Sequence, residues 1–127
     1  MNVAENRDKK KILIVDDEPM VLQVLTELCE EIDLTVDVAS DGLGGLEKAR
    51  SSNYDFFLCD IEMPGMNGIE LLDQLFEENK LPSLTYVITG GILSEQSQRA
   101  HDTIKKTTNG VLKKPISLDV LEQKLCI

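Results

Sequence analysis

Phe56-Phe57-Leu58-Cys59 is a run of large apolar residues that ends on an acid, Asp60, and then enters a loop punctuated by Pro64, Gly65 and Asn67-Gly68. So short and unbroken an apolar run reads as a strand covered on both faces, as in a parallel sheet. A carboxylate at the carboxyl end of such a strand points into the crevice where open α/β sheets take their ligands. Ionised acids are rarely buried without a partner, so Asp60 demands a cation or hydrogen-bond donors nearby.

The rest of the chain fits the same frame. Lys11–Val15 reads as a buried strand running straight into Asp16-Asp17-Glu18, after which Pro19 suits the first turn of a helix carrying Val21, Leu25, Leu28 and Ile32. The acids before it favour the positive end of the helix dipole. Thr35–Ala39 alternates and is rich in β-formers, which predicts a more exposed strand near an edge. Ser40 and Asp41 can cap a helix through Leu43, Leu46 and Ala49, weakened by Gly42, Gly44 and Gly45. Beyond Asp60 and its loop, Ile69, Leu72, Leu75 and Phe76 mark a third helix that stops before Pro82.

Residues 85–89 predict a fourth strand, closed by Gly90-Gly91. Ser94 is then the expected cap of a fourth helix whose apolar stripe is only Ala100 and Ile104, a loosely held candidate moving part. Asn109-Gly110 turns into Val111-Leu112-Lys113, Lys114-Pro115 ends this fifth strand, and Ser117 caps a last helix with Leu118, Leu121 and Leu125. Strand and helix alternate throughout. The expected fold class is α/β, a doubly wound five-stranded parallel sheet of order 2-1-3-4-5, flavodoxin-like. Residues 1–10 are expected to be a flexible polar tail and residues 11–127 one domain.

Composition narrows the function. The net charge of -10, from 23 acids against 13 Lys and Arg, disfavours direct binding to nucleic acid or an anionic membrane. No apolar run approaches a membrane span and no signal peptide is visible, so the expected location is the cytoplasm. Cys29, Cys59 and Cys126 lack the spacing of a disulfide framework or a zinc site and read as reduced packing residues, Cys126 the more exposed. His101, the only histidine, is expected on a solvated helix face, and Lys113 at the surface.

In the 2-1-3-4-5 order the carboxyl ends of the strands bring Asp16, Asp17, Asp60, Thr89 and Lys114 to one rim. Three carboxylates so close repel one another, and a hard divalent cation resolves the conflict. Asp17 and Asp60 are the expected direct ligands, with Asp16 acting largely through water. Carboxylates are also nucleophiles towards phosphoryl groups. Phosphoryl transfer asks for in-line positioning and neutralised equatorial oxygens, which Mg²⁺, the Lys114 ammonium and the Thr89 hydroxyl can supply. Gly90 lets the backbone come close.

Four stretches, in order and at family spacing, carry a resemblance over residues 11–125: Ile12-Leu13-Ile14-Val15-Asp16-Asp17-Glu18, Asp60 to Gly68, Ile88-Thr89-Gly90 and Lys113-Lys114-Pro115. They resemble the receiver domain of bacterial two-component response regulators, in its single-domain, chemotaxis-regulator-like form. The resemblance implies that Asp60 is the phosphoacceptor and that a sensor histidine kinase or His-phosphotransfer protein is the donor. It implies Mg²⁺ (or Mn²⁺) held by Asp16, Asp17, Asp60 and the backbone carbonyl of Glu62, a phosphoryl contact from Lys114, and a cis Lys114-Pro115 bond. Val111 stands where the family carries a switch aromatic, so any switch is expected to run through Thr89, the Gly90-Gly91 loop and the fourth helix. Glu62 and Gly91 match the positions that tune dephosphorylation.

The expected function is therefore a phosphorelay switch, not a turnover enzyme, that alters the affinity of an unidentified protein partner through the face of the fourth helix, fifth strand and fifth helix. The expected assembly is a monomer or a phosphorylation-dependent dimer, and the Met1 start and short tails favour a stand-alone domain over a piece of a longer regulator. The alternative is a non-phosphorylated interaction module, which the departure at Val111 favours and the retained acids and Lys114 oppose. A Mg²⁺-dependent phosphatase with Asp60 as nucleophile and Glu62 as general acid lacks room for a substrate cap.

Overall fold

The computed structural model describes residues 9–127, so most of the expected tail, residues 1–8, lies outside the described residues. Five strands, β1 (Lys11–Val15), β2 (Thr35–Ala39), β3 (Phe56–Asp60), β4 (Leu84–Thr89) and β5 (Gly110–Lys113), form one parallel sheet of order 2-1-3-4-5. Five helices alternate with them: α1 (Pro19–Glu31), α2 (Gly42–Ser51), α3 (Gly68–Glu77), α4 (Gln98–Thr107) and α5 (Leu118–Leu125). The sheet therefore has the expected fold.

The side-chain alternation of each strand divides the core into two layers. Ile12, Ile14, Leu58 and Ile88 face α1 and α5, meeting Leu25, Cys29, Leu121 and Leu125. Leu13, Val15, Phe57, Cys59 and Val87 face the other way, onto Leu46 and Ala49 of α2, Leu71, Leu72 and Leu75 of α3, and Ala100 and Ile104 of α4. All five residues of β3 are buried, as its sequence requires of the central strand. β2, at the edge, keeps only Ala39 fully covered.

Three details differ from the sequence expectation. The cap of α4 is Ser97, whose side chain accepts from the Ala100 N–H, while Ser94 lies in a short 3-10 turn, Leu93–Glu95. The Leu93–Glu95 turn delays the helix by one turn of chain, and both serines are residues of the type that caps helices, so residue type alone could not tell them apart. Phe76 is 45% exposed rather than core, with the Lys106 ammonium 4.9 Å above its ring. His101 is half-buried rather than fully solvated.

The glycines of α2 are a packing requirement. A Cβ on Gly45 would sit 2.8 Å from Val15 Cγ2 and 3.2 Å from Leu71 Cδ2, so the helix approaches the sheet where only hydrogen fits. Alanine in place of an exposed helical glycine gains about 1 kcal/mol. Here Gly45→Ala is expected to lose about 1–2 kcal/mol of stability instead, since overpacking outweighs propensity. Urea unfolding of the two proteins checks the sign.

Candidate functional site

Strand register builds the site. Val15 lies opposite Cys59 and Asp60 opposite Ile88, so Asp16, one residue past β1, emerges beside Asp60. Thr89 lies opposite Lys113, and the Lys114 N–H donates to the Thr89 carbonyl at 2.8 Å. The Lys114-Pro115 peptide that follows is cis. Asp16, Asp60, Thr89 and Lys114 thus meet at the rim because four adjacent parallel strands end level with one another.

Electrostatics dominate the geometry. The Lys114 ammonium lies 2.7 Å from Asp16 Oδ2, 3.2 Å from Glu18 Oε1 and 3.4 Å from Asp60 Oδ1. Burial alone would lower its pKa, but the carboxylates of Asp16, Asp60 and Glu18 raise it, and the side chain stays a cation. Asp60, only 5% exposed, is pushed up to about 6, first by burial and then by the Asp16 charge, with Lys114 partly offsetting both and Asp17 adding to the rise. One ammonium does not satisfy so many acids.

Sequence reasoning gave Glu18 only a place among the acids at the start of α1 and no part in the site. Its backbone N–H donates to Asp16 Oδ1 at 2.9 Å, a tight turn that fixes the Asp16 side chain, and its carboxylate reaches Lys114 rather than capping α1. The signal lay in the sequence: an aspartate two residues before an N–H at a helix start commonly closes such a turn.

The acids fit a divalent cation. Carboxylate oxygens of Asp16, Asp17 and Glu18 lie within 4.8 Å of one another. Among the described residues, Asp16 Oδ2 is the buried side-chain oxygen without a directed hydrogen bond; its contact with Lys114 is ionic, off hydrogen-bond geometry. A buried carboxylate oxygen with a free lone pair, in an excess of negative charge, suits a hard cation that takes oxygen ligands. Glu62 is exposed, and its carboxylate accepts from Gln96 Nε2 at 3.1 Å; the ligand expected from Glu62 is its backbone carbonyl, not this side chain.

Thr89 is 7% exposed. Its Oγ1 accepts the Gly91 N–H at 3.1 Å, which leaves the hydroxyl proton free to donate towards the rim. Val111 is half-buried and packs against the α2–α3–α4 layer. The loop after Asp60 is closed at its base by Gly68, whose N–H donates to the Ile61 carbonyl at 2.9 Å. A Cβ on Gly68 would lie 2.0 Å from the Asp60 carbonyl oxygen, so no other residue fits there without moving the strand end.

A raised carboxyl pKa destabilises the ionised fold. Asp60 has a higher pKa folded, about 6, than unfolded, so its ionisation weakens the fold as pH rises from about 4 through 6. Asp60→Asn is expected to be more stable than the parent by about 1–3 kcal/mol at pH 7.5 without divalent cations, with the gain shrinking towards pH 4.5. Urea titrations at the two pH values in chelator check it.

Comparisons with known proteins bear on the family and the fold. The family model for the response regulator receiver domain matches residues 12–126. The sensor protein EvgS of Escherichia coli (strain K12) is 34% identical over 119 residues, covering 93% of this chain and 10% of EvgS. The chain spans a similarly small part, 13%, of the sensor histidine kinase RcsC of Salmonella typhimurium. Among solved structures, a CheY-like receiver domain from Methanospirillum hungatei superposes with TM-score 0.82 at 25% identity, covering 94% of this chain and 92% of that one. The response regulator TrrA of Thermotoga maritima, solved in complex with Mg²⁺ and BeF, gives 0.79 at 29% identity, covering 92% and 96%.

Proposed function

Since the chain belongs to the response regulator receiver domain family, a signalling domain of two-component systems, we propose that Asp60 accepts a phosphoryl group from a phosphohistidine and that the adduct switches partner binding. The donor is a sensor histidine kinase or a His-phosphotransfer protein. The observation that carries the reading is a nearly buried Asp60 carboxylate 3.4 Å from the Lys114 ammonium, at a rim with surplus acids.

Asp60, ionised at neutral pH, attacks phosphorus in line; its oxygen–phosphorus bond forms as the phosphorus–nitrogen bond breaks. The electron pair returns to the imidazole nitrogen of the donor. Lys114 exchanges carboxylate contacts for a phosphoryl oxygen, and the Thr89 hydroxyl donates to another. Asp16, Asp17, Asp60 and the Glu62 carbonyl would hold Mg²⁺ or Mn²⁺, which when bound supplies positive charge for the phosphoryl oxygens. Gly91, without a side chain, leaves the site open to the water that hydrolyses the acyl phosphate, releasing inorganic phosphate and restoring the Asp60 carboxylate. With Val111 in place of an aromatic, the signal passes through Thr89 and Gly90-Gly91 to α4, and the output surface is the face of α4, β5 and α5.

The domain, residues 11–127, works in the cytoplasm, without contact to nucleic acid or membrane, as a monomer or a phosphorylation-dependent dimer. Among the described residues, no helix is long and apolar enough to cross a membrane.

Intact mass after incubation with Mg²⁺ and acetyl phosphate tests the reading. One phosphoryl group is expected on the parent and none on Asp60→Asn, and Lys114→Ala is expected to label at least about tenfold more slowly. No adduct, together with no binding of Mg²⁺ and beryllofluoride, would leave the non-phosphorylated docking module in its place.

A further inference from the structure

α4 is seated by charge more than by apolar contact. It buries Ala100 and Ile104, but its other buried residues are Thr103 and Thr107. The α3 residue Asp73 supplies what the apolar stripe lacks. Its carboxylate accepts from Thr103 Oγ1 at 3.0 and 3.2 Å and from Arg99 Nη2 at 3.1 Å, and lies 3.6 Å from Lys106 Nζ. Residues 99, 103 and 106 form one stripe, so a single acid on α3 spans two turns of α4. The Lys106 ammonium also rests over the Phe76 ring of α3. At the near end, Gln96 Nε2, just before α4, donates to Glu62, two residues beyond Asp60.

We infer that Asp73 is the latch that holds α4 on α3, and that its release lets a change at Asp60 reach the α4 face; this rests on Asp60 being the phosphoacceptor. The physical reason is convergence. Losing any one donor leaves two others, whereas losing Asp73 removes all three contacts and leaves Thr103, 3% exposed, with a buried hydroxyl to satisfy. The Gln96–Glu62 bond tethers the start of α4 to the phosphoacceptor loop, so a shift of that loop pulls the helix against the hold of Asp73. A contact made only in the latched state opposes every ligand that favours the released one.

Hydrogen exchange and beryllofluoride affinity, on the full chain, test the latch. In Asp73→Ala the α4 amides are expected to exchange at least about fivefold faster, with β1 and β3 unchanged, and Mg²⁺ with beryllofluoride to bind about fivefold more tightly. Asp73→Asn, Thr103→Val and the paired Arg99→Ala, Lys106→Ala change should fall between, and they serve if Asp73→Ala folds poorly. Added salt should speed α4 exchange in the parent and not in Asp73→Ala, because Arg99 and Lys106 are 70% and 52% exposed. Unchanged α4 exchange, acceleration spread evenly over the sheet, or faster α4 exchange without tighter beryllofluoride binding would each overturn the proposal. A parent that neither binds beryllofluoride nor takes up phosphate would instead defeat the phosphoacceptor reading, and the exchange comparison would still decide the latch.

Discussion

The conflict on which this molecule turns is between the cost of crowding carboxylates at a sheet edge and the single ammonium that answers it. Lys114 touches three of the acids, Asp16, Glu18 and Asp60, and comes from the far end of the chain. It reaches them only because β5 is hydrogen-bonded to β4, β4 to β3 and β3 to β1 in one level register. The apolar strands thus have a second role beyond burial: they are the ruler that sets distances between charges. A one-residue slip in any of them would turn a functional side chain to the opposite face of the sheet.

Surplus negative charge is stable here only as a conditional state. The fold tolerates it through Lys114 and through the solvent side of Asp17 and Glu18. An incoming cation can take over from solvent at Asp17 and Glu18, and Lys114 can turn from a carboxylate to a phosphoryl oxygen, so the site is ready to react through its charges. The hydroxyl of Thr89, already receiving an N–H from Gly91, ties that readiness to the loop in front of α4.

Much of this was legible in the sequence because the informative residues obey strong local rules. The strands β1, β2 and β3 have the bounds that their apolar runs and flanking polar residues suggest, and the acids and Lys114 stand at strand ends where a parallel sheet must bring them together. What stayed hidden is tertiary. Ser94 and Ser97 are equally good caps on paper, and only the 3-10 turn distinguishes them. Phe76 fits the α3 stripe, yet sits under a lysine from α4. Asp73 looks like any solvated helix acid until the α4 stripe is placed against it. The glycines of α2 read as weaknesses because helix propensity is local, whereas the contact that demands Gly45 comes from Val15 and Leu71.

The closure of the β3–α3 loop by Gly68 has a practical side. Its base is pinned by the bond to the Ile61 carbonyl and lies too close to the backbone of Asp60 for any side chain, while its tip at Pro64 and Gly65 is exposed, with open space around Gly65. Base and tip are therefore mechanically separate. A fluorophore or short peptide tag grafted into the tip would ride beside the site without displacing Asp60, making the loop a natural port for an optical readout of occupancy.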